Sequence, residues 1–542
     1  MSHCRQGMPG WVLLICGAAT ALGFAPLGWW PMWVGAVAVL FQALAHAPWQ
    51  RQLWMGWVFG LGAAVATTHW IGIALWHQPD MPKGVGVGAS AIAWLYSAWP
   101  WGLLGMLGGV MTRWTWPRQG LPRLGLQLTA LTSAWWSQAW WLSGFPWLVP
   151  AAVWLDTPLQ GWAPLGGGLL MATLGLWLAA SVALAWQTWH RPVEPPNALA
   201  PDTTPPQPRP RLRVSIGIGL LWLVAWGGGA VLQTVSWTHE AGPAVRVGVV
   251  QVGMPNLTRS DLAQEQAYQN MAWRITGTLI QRHQVDVIVW PEALVTSSEP
   301  VLRDWLARHT TGQQPRALVI GATVDIAPPQ GHAPSRMVTN SLLAHGVNTQ
   351  GRYDKRQLVP LTERWPGSGP WPVLAAWANA QPWIQAGADL QPPLTLLGQL
   401  VGASICYEDA FPNTYQDLPA SVGWLINSSN DAWFARTPVM PQQHLALSRV
   451  RALEQQKPLV RAANIGPSAV LDAWGQAMAY TDTDQTDMLH ATLHPRHGHT
   501  PYARWGHAWL WTGLLWVLAA MVPSAWVRRV LQPKSRTSSA PS

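Results

Sequence analysis

Three residues in the second half of this sequence could together carry acyl chemistry. Cys406 ends the apolar run LVGASIC, Glu292 follows VDVIVWP, and Lys355 lies in GRYDKRQLVP. A thiol is a poor nucleophile until it loses its proton. A neighbouring carboxylate can take that proton, and a neighbouring ammonium lowers the thiol pKa and stabilises negative charge developing on a carbonyl oxygen. Taken singly, each residue has a plainer reading: a solvated carboxylate, an exposed lysine, a small buried hydrophobe. Taken together they supply a base, a cation and a nucleophile. The remaining cysteines, Cys4 and Cys16, lie far away at the start of the chain, so neither a disulfide framework nor a cysteine-based metal site is expected.

The elements that must position these residues lie in the stretch 244–497. Short apolar strands recur at 244–252, 285–290, 317–323, 400–406, 422–427 and 459–466, separated by helical and loop segments, which is the pattern of an α/β domain. Between the first two strands, Ala267, Met271, Ile275 and Leu279 recur at a spacing of four and predict the buried face of a helix.

The rest of the chain is of another kind. Of 542 residues, 49% are hydrophobic and only 11% charged, against about 25% charged in an ordinary soluble domain. Tryptophan (42), glycine (50) and proline (47) are plentiful, as in membrane proteins. Apolar stretches near the length that crosses a bilayer run over 9–25, 30–46, 54–76, 86–111, 124–143, 165–188, 214–236 and 506–526. No small-residue cleavage site follows the first, so it reads as a span rather than a signal peptide. The expected domains are a membrane part over 1–236, an α/β part over 244–497, an eighth span over 505–527 and a tail over 528–542.

Arg and Lys are retained on the cytoplasmic side of short loops, and here they fall in alternate loops. Arg5 precedes the first span, Arg51 lies between the second and third, Arg113, Arg118 and Arg123 follow the fourth, and Arg191, Arg209, Arg211 and Arg213 follow the sixth. Arg528, Arg529, Lys534 and Arg536 follow the eighth, and Lys83 alone breaks the pattern. Both termini are therefore expected in the cytoplasm and the α/β domain outside it. The Pro-rich run 191–213 reads as a cytoplasmic linker. The net charge of +9 is spread over these loops with no nucleic-acid motif, so no nucleic acid is expected.

With these residues in view, a resemblance can be stated. WPEAL at 290–294, YDKRQLVP around Lys355 and CYEDAFP around Cys406 resemble the Glu-Lys-Cys signature of the nitrilase, or carbon-nitrogen hydrolase, superfamily. FAPLGWWP at 24–31, SGFPWL at 143–148, SNDAWF at 429–434, RALE at 451–454 and RAANIG at 461–466 extend the likeness over nearly the whole chain, to its bacterial apolipoprotein N-acyltransferase family. The resemblance implies eight membrane spans plus an extracytoplasmic nitrilase-like α-β-β-α sandwich in the inner membrane, with the catalytic domain in the periplasm. It implies transfer of an acyl chain from a phospholipid, phosphatidylethanolamine being the expected donor, through a cysteine thioester to the α-amino group of a diacylglyceryl-cysteine on an apolipoprotein. It implies a monomer needing no metal or cofactor.

By matching position, Glu292 is the expected general base, Lys355 the cation at the oxyanion and Cys406 the nucleophile. Glu363 and Glu408 are expected to support them, and Tyr407, Trp433, Trp147 and Trp154 to line the substrate path. The sequence departs from the pattern at LTER (361–364), where the family has FGEY, at WWSQAWW (135–141), and at RALEQQKP, where Lys457 replaces Arg. Two rivals remain. A membrane-anchored amidase would share the triad and give its acyl group to water. A transporter would place ionisable residues inside the spans, which hold few, His69 being one.

Overall fold

The computed structural model of the chain describes residues 8–45, 47–78, 81–110, 121–190, 210–255, 262–310, 316–326, 337–360, 362–363, 383–434, 436–481, 485–513 and 515. The second half folds around two facing β-sheets. The larger runs in the order 487–493, 245–251, 287–289, 317–326, 337–346, 352–354, with 295–298 beside 317–326 and 383–384 beside 337–346. The smaller runs 477–480, 469–471, 459–463, 422–429, 399–405, 394–396. Side chains alternate across a strand, and this sequence uses both faces. Val245, Val247 and Val249 join Val401, Ala403, Ile405, Trp424 and Ile426 in a core between the sheets, while Val250 and Val252 face outward.

Helices close the outer faces. Leu262–His283 and Glu299–Thr310 cover the larger sheet with Ala272, Leu279, Leu302 and Leu306, and Val439–Gln455 covers the smaller one with Ala452. The order of layers is thus the expected α-β-β-α. The predicted helix stripe is only partly the buried face. Leu279 is buried, but Ala267 is exposed, and Ala272 and Thr276 are buried instead. A spacing of four overshoots the 3.6-residue turn by about 40° per step, so the stripe drifts off the contact face.

The middle strands 245–251, 287–289 and 317–326 run parallel, as do 399–405, 422–429 and 459–463. Glu292 and Cys406 therefore both follow the carboxyl ends of parallel strands, one from each sheet, where open α/β sheets present their ligands.

Each of the first seven expected spans coincides with helix: Gly10–Ala19, Trp30–Ala45, Trp49–Thr67 with His69–His77, Lys83–Val110, Leu121–Ser137, Ala163–His190, and Pro210–Trp222 continued by Gly228–Leu232. By length and composition, Pro158–His190 and Val214–Leu232 can cross a membrane, and the bent pair Gln50–Thr67 and His69–His77 would make a third. The linker up to residue 209, most of the eighth span and the tail lie outside the described residues.

One helix, Val439–Gln455, ties the two halves together. Gln443 Oε1 accepts from Trp70 Nε1 (3.2 Å) and Trp147 Nε1 (2.8 Å), and its Nε2 donates to the Thr67 carbonyl (3.1 Å). Glu454 Oε1 accepts from Gly168 N (2.8 Å) and from Arg451 (2.9 Å), whose guanidinium also donates to the Phe411 carbonyl (2.7 Å). Arg449 meets Asp156 at 2.6 Å, but that carboxylate is 60% exposed. Removing one partner of a buried pair leaves an uncompensated charge, whereas exposed pairs contribute little. Glu454→Ala should therefore destabilise the detergent-solubilised protein by about 3–5 kcal/mol, and Asp156→Asn by about 1 kcal/mol or less. Thermal unfolding of both variants checks this, and equal shifts would contradict it.

Candidate active site

Lys355 follows strand 352–354, and its backbone N–H donates to the Asn340 carbonyl (2.8 Å), which extends the ladder by one residue. Its ammonium is 1% exposed. Stripping an ammonium of water costs several kcal/mol, and two carboxylates offset it here: Nζ donates to Glu292 Oε1 at 3.1 Å and to Glu363 Oε1 at 2.8 Å. Burial opposes the charge, yet Glu292 and Glu363 hold its pKa well above the ordinary lysine value. Glu363 Oε2 accepts from Val359 N (2.9 Å), so the departed LTER loop still delivers its carboxylate. Asn340 Nδ2 donates to Glu292 Oε1 at 2.6 Å. Asn340 thus holds Glu292 by its side chain and the lysine by its main chain, a role with no signal in the sequence.

Cys406 ends strand 399–405 and opens a 3₁₀ turn over Cys406–Ala410 with φ +52°, a left-handed conformation that non-glycine residues seldom adopt. Glu408 is part of what holds it. Its Oε2 accepts from Ile405 N (2.7 Å) and the Tyr353 hydroxyl (2.9 Å), and its Oε1 accepts from Arg356 N (2.7 Å) and Gln357 N (3.1 Å). One carboxylate, 1% exposed, therefore clamps the nucleophile turn to the lysine loop. Burial pushes its pKa up, against Arg356 and the three backbone donors.

The thiol is 8% exposed as a residue. Burial first and Glu292 second push its pKa up, and Lys355 draws it down without prevailing; Asp431 and Glu363 push it further up. The ammonium does lower the thiol pKa, as expected, but burial and the carboxylates outweigh it, so that Cys406 rests near Glu292 as a protonated thiol. Its carbonyl accepts from His444 Nε2 (2.9 Å) and Asn427 Nδ2 (3.4 Å). Cys406, Asp431 and His444 bring their donor atoms within 4.8 Å of one another, a grouping that resembles a metal site. Both Asp431 oxygens and both His444 nitrogens are already engaged, by each other, by Arg461 and by the Cys406 carbonyl, and a cation would have to break these bonds.

Aromatic side chains from the apolar half form one wall. The Tyr407 hydroxyl donates to the Gly144 carbonyl (3.0 Å), and its ring stacks 6.4 Å from Trp147, which lies 5.5 Å from His444 and 5.2 Å from Trp70. Gly144 has φ +82°, and a Cβ there would meet Phe411 at 2.7 Å, which gives the glycine of SGFPWL its physical reason. Trp433 is half-buried in the turn Asp431–Phe434. Trp154 lies elsewhere, fully buried against Trp30 and Trp33 in the helical core. Lys457, the replacement in RALEQQKP, donates to the carbonyls of Val422 and Arg496, and burial with Arg496 nearby lowers its pKa to about 8.

Comparison with known proteins agrees with this geometry. A family model described as carbon-nitrogen hydrolase matches residues 246–500, and one described as the apolipoprotein N-acyltransferase N-terminal domain matches residues 16–186. The apolipoprotein N-acyltransferase of Azotobacter vinelandii is 31% identical over 525 residues, 94% of each chain. That of Pseudomonas aeruginosa is 29% identical over 98% of each chain, and that of Vibrio parahaemolyticus 27% identical over 95% of this chain and 96% of its own. With its nitrilase-type sandwich, its buried Glu292–Lys355–Glu363 cluster beside Cys406 and this likeness along almost its full length, the chain belongs to the apolipoprotein N-acyltransferase family.

Proposed function

We propose that this chain moves an acyl chain from a phospholipid, through a thioester on Cys406, to the α-amino group of the N-terminal diacylglyceryl-cysteine of an apolipoprotein. The observation that carries the reading is Glu292 and Lys355 bonded to each other within electrostatic reach of a buried, protonated thiol. Glu292 takes the thiol proton as sulfur attacks the ester carbonyl. The C–S bond forms, and Lys355 stabilises the oxyanion. The C–O bond then breaks, and Glu292 returns the proton to the leaving glyceryl oxygen, which releases a lysophospholipid. In the second half the amine attacks the thioester, its proton passes to Glu292, the C–S bond breaks, and the proton returns to sulfur. One hard ester-to-amide exchange becomes two easier transfers.

Glu363 holds the lysine charged and Glu408 holds the two loops in register. Tyr407 and Trp147 are the proposed wall for the lipid; Trp433, on the turn Asp431–Phe434, is a further proposed lining residue, and Trp154 supports the helical core. The topology proposed is eight spans, both termini in the cytoplasm and the sandwich in the periplasm, supported by the alternation of basic loops. The proposed enzyme is a monomer of the inner membrane with phosphatidylethanolamine as donor.

Purified protein given phospholipid and a diacylated lipopeptide should yield triacylated lipopeptide, and intact mass should show one acyl adduct on Cys406. Free fatty acid without triacylated product would support the amidase rival instead. Cys406→Ala should abolish adduct and product while unfolding normally. Glu292→Gln and Lys355→Met should each slow transfer by about 10²-fold or more.

The pKa directions add a test with a definite sign. Because Glu292 raises the thiol pKa, Glu292→Gln should shift alkylation of Cys406 by iodoacetamide to lower pH even as transfer is lost. An upward shift would contradict the proposed charge arrangement.

A further inference from the structure

Helix Val439–Gln455 carries His444, with no exposure, to a place between two acceptors. Its Nδ1 lies 2.8 Å from Asp431 Oδ1 and its Nε2 2.9 Å from the Cys406 carbonyl oxygen. Carboxylate and carbonyl oxygens only accept, so each nitrogen must donate; with ring protons assigned from their partners, the imidazole carries two and is positively charged. Arg461 Nη2 stands 3.1 Å from the same Nδ1, farther off than Asp431 Oδ1, so the carboxylate is the nearer partner of that nitrogen. Arg461 gives its own hydrogens to Asp431 Oδ2 (2.7 Å) and Asn427 Oδ1 (2.7 Å). The Asp431 carboxylate is therefore shared between two buried cations, and Gly466, at φ +102°, leaves room for it: a Cβ there would stand 2.6 Å from Oδ2.

We propose that His444 is a positioning residue for the nucleophile. Its Nε2–H anchors the Cys406 carbonyl and so holds the left-handed turn, and its imidazolium, whose nitrogen lies within 4.8 Å of Sγ and of the Asp431 carboxylate, places a second positive charge near the sulfur. The proposal rests on the thioester reading above and adds a second cation to it. The charges that act on the thiol are Lys355, which lowers its pKa, against Glu292, Asp431 and Glu363, which raise it; His444 and Arg461 are both bonded to Asp431. When the thiol proton passes to Glu292 the total charge is unchanged, and the thiolate has Lys355 and His444 as cations to set against the carboxylates. The same helix presents Gln443 to Trp70 and Trp147, so the group that orients the sulfur is fixed one residue from the group that holds the aromatic wall.

The test is His444→Gln, whose amide can still donate toward the Cys406 carbonyl but carries no charge. Alkylation of Cys406 by iodoacetamide is followed by peptide mass spectrometry across pH in the full-length, detergent-solubilised protein. Neither phospholipid nor acceptor is needed, so the result does not depend on whether acyl transfer is the activity. The variant should unfold close to the parent temperature, with its alkylation profile moved up by about one pH unit and its rate near neutral pH lowered about tenfold. A folded variant with an unchanged profile overturns the proposal. In the parent protein, which needs no variant, nitrogen-15 spectra should show both His444 ring nitrogens protonated at neutral pH, and a neutral ring overturns it equally.

Discussion

The ammonium of Lys355 has almost no contact with water, and much of the site is arranged around keeping it charged. A lone buried ammonium would give up its proton, and two carboxylates from separate parts of the chain prevent this. Glu292 arrives from the end of strand 287–289 and Glu363 from a loop eight residues downstream of the lysine. Asn340 braces Glu292, and its carbonyl braces the lysine backbone. These constraints bring a carboxylate and an ammonium to one point before any substrate binds, so the reaction proposed above, with Glu292 as base and Lys355 at the oxyanion, would need little reorganisation.

Cys406, the proposed nucleophile, comes from the other sheet, and a separate device registers it against the first. Glu408 bonds backbone on both sides of the gap, Ile405 on the nucleophile strand and Arg356 with Gln357 on the lysine loop. Its four acceptor bonds leave it no free lone pair for chemistry. The strained φ of Cys406 is held by these bonds and by those to its carbonyl, as expected where a functional residue sits in a sparsely populated conformation.

A lipid substrate holds to the bilayer by about 0.8 kcal/mol per buried CH₂, so a site that acts on it must be coupled to the apolar half of the chain. Helix Val439–Gln455 supplies that coupling. Along one face it presents Gln443 to Trp70, Trp147 and Thr67, His444 to Cys406, Ser448 to Asp409, Arg451 to Phe411 and Glu454 to Gly168. Sulfur and aromatic wall are consequently joined through one helix.

Much of this was legible in the residues alone. Apolar strands recurring between helical segments specify an α/β domain, the sandwich being what the family resemblance added, and strand ends bearing Glu, Lys and Cys stand out because plain packing does not call for them. Long apolar stretches identify the helical half. What only the tertiary structure decided depends on which segments meet. Asn340 and His444 look ordinary in sequence, yet each closes a bond to a site residue more than 35 positions away. Trp147 and Trp154 look alike, but one lies against Tyr407 and the other inside the helical core. The direction of the Cys406 shift is likewise a tertiary property: Lys355 alone argues for a thiolate, and it is the depth of burial and the carboxylates gathered by the fold that keep the proton on sulfur.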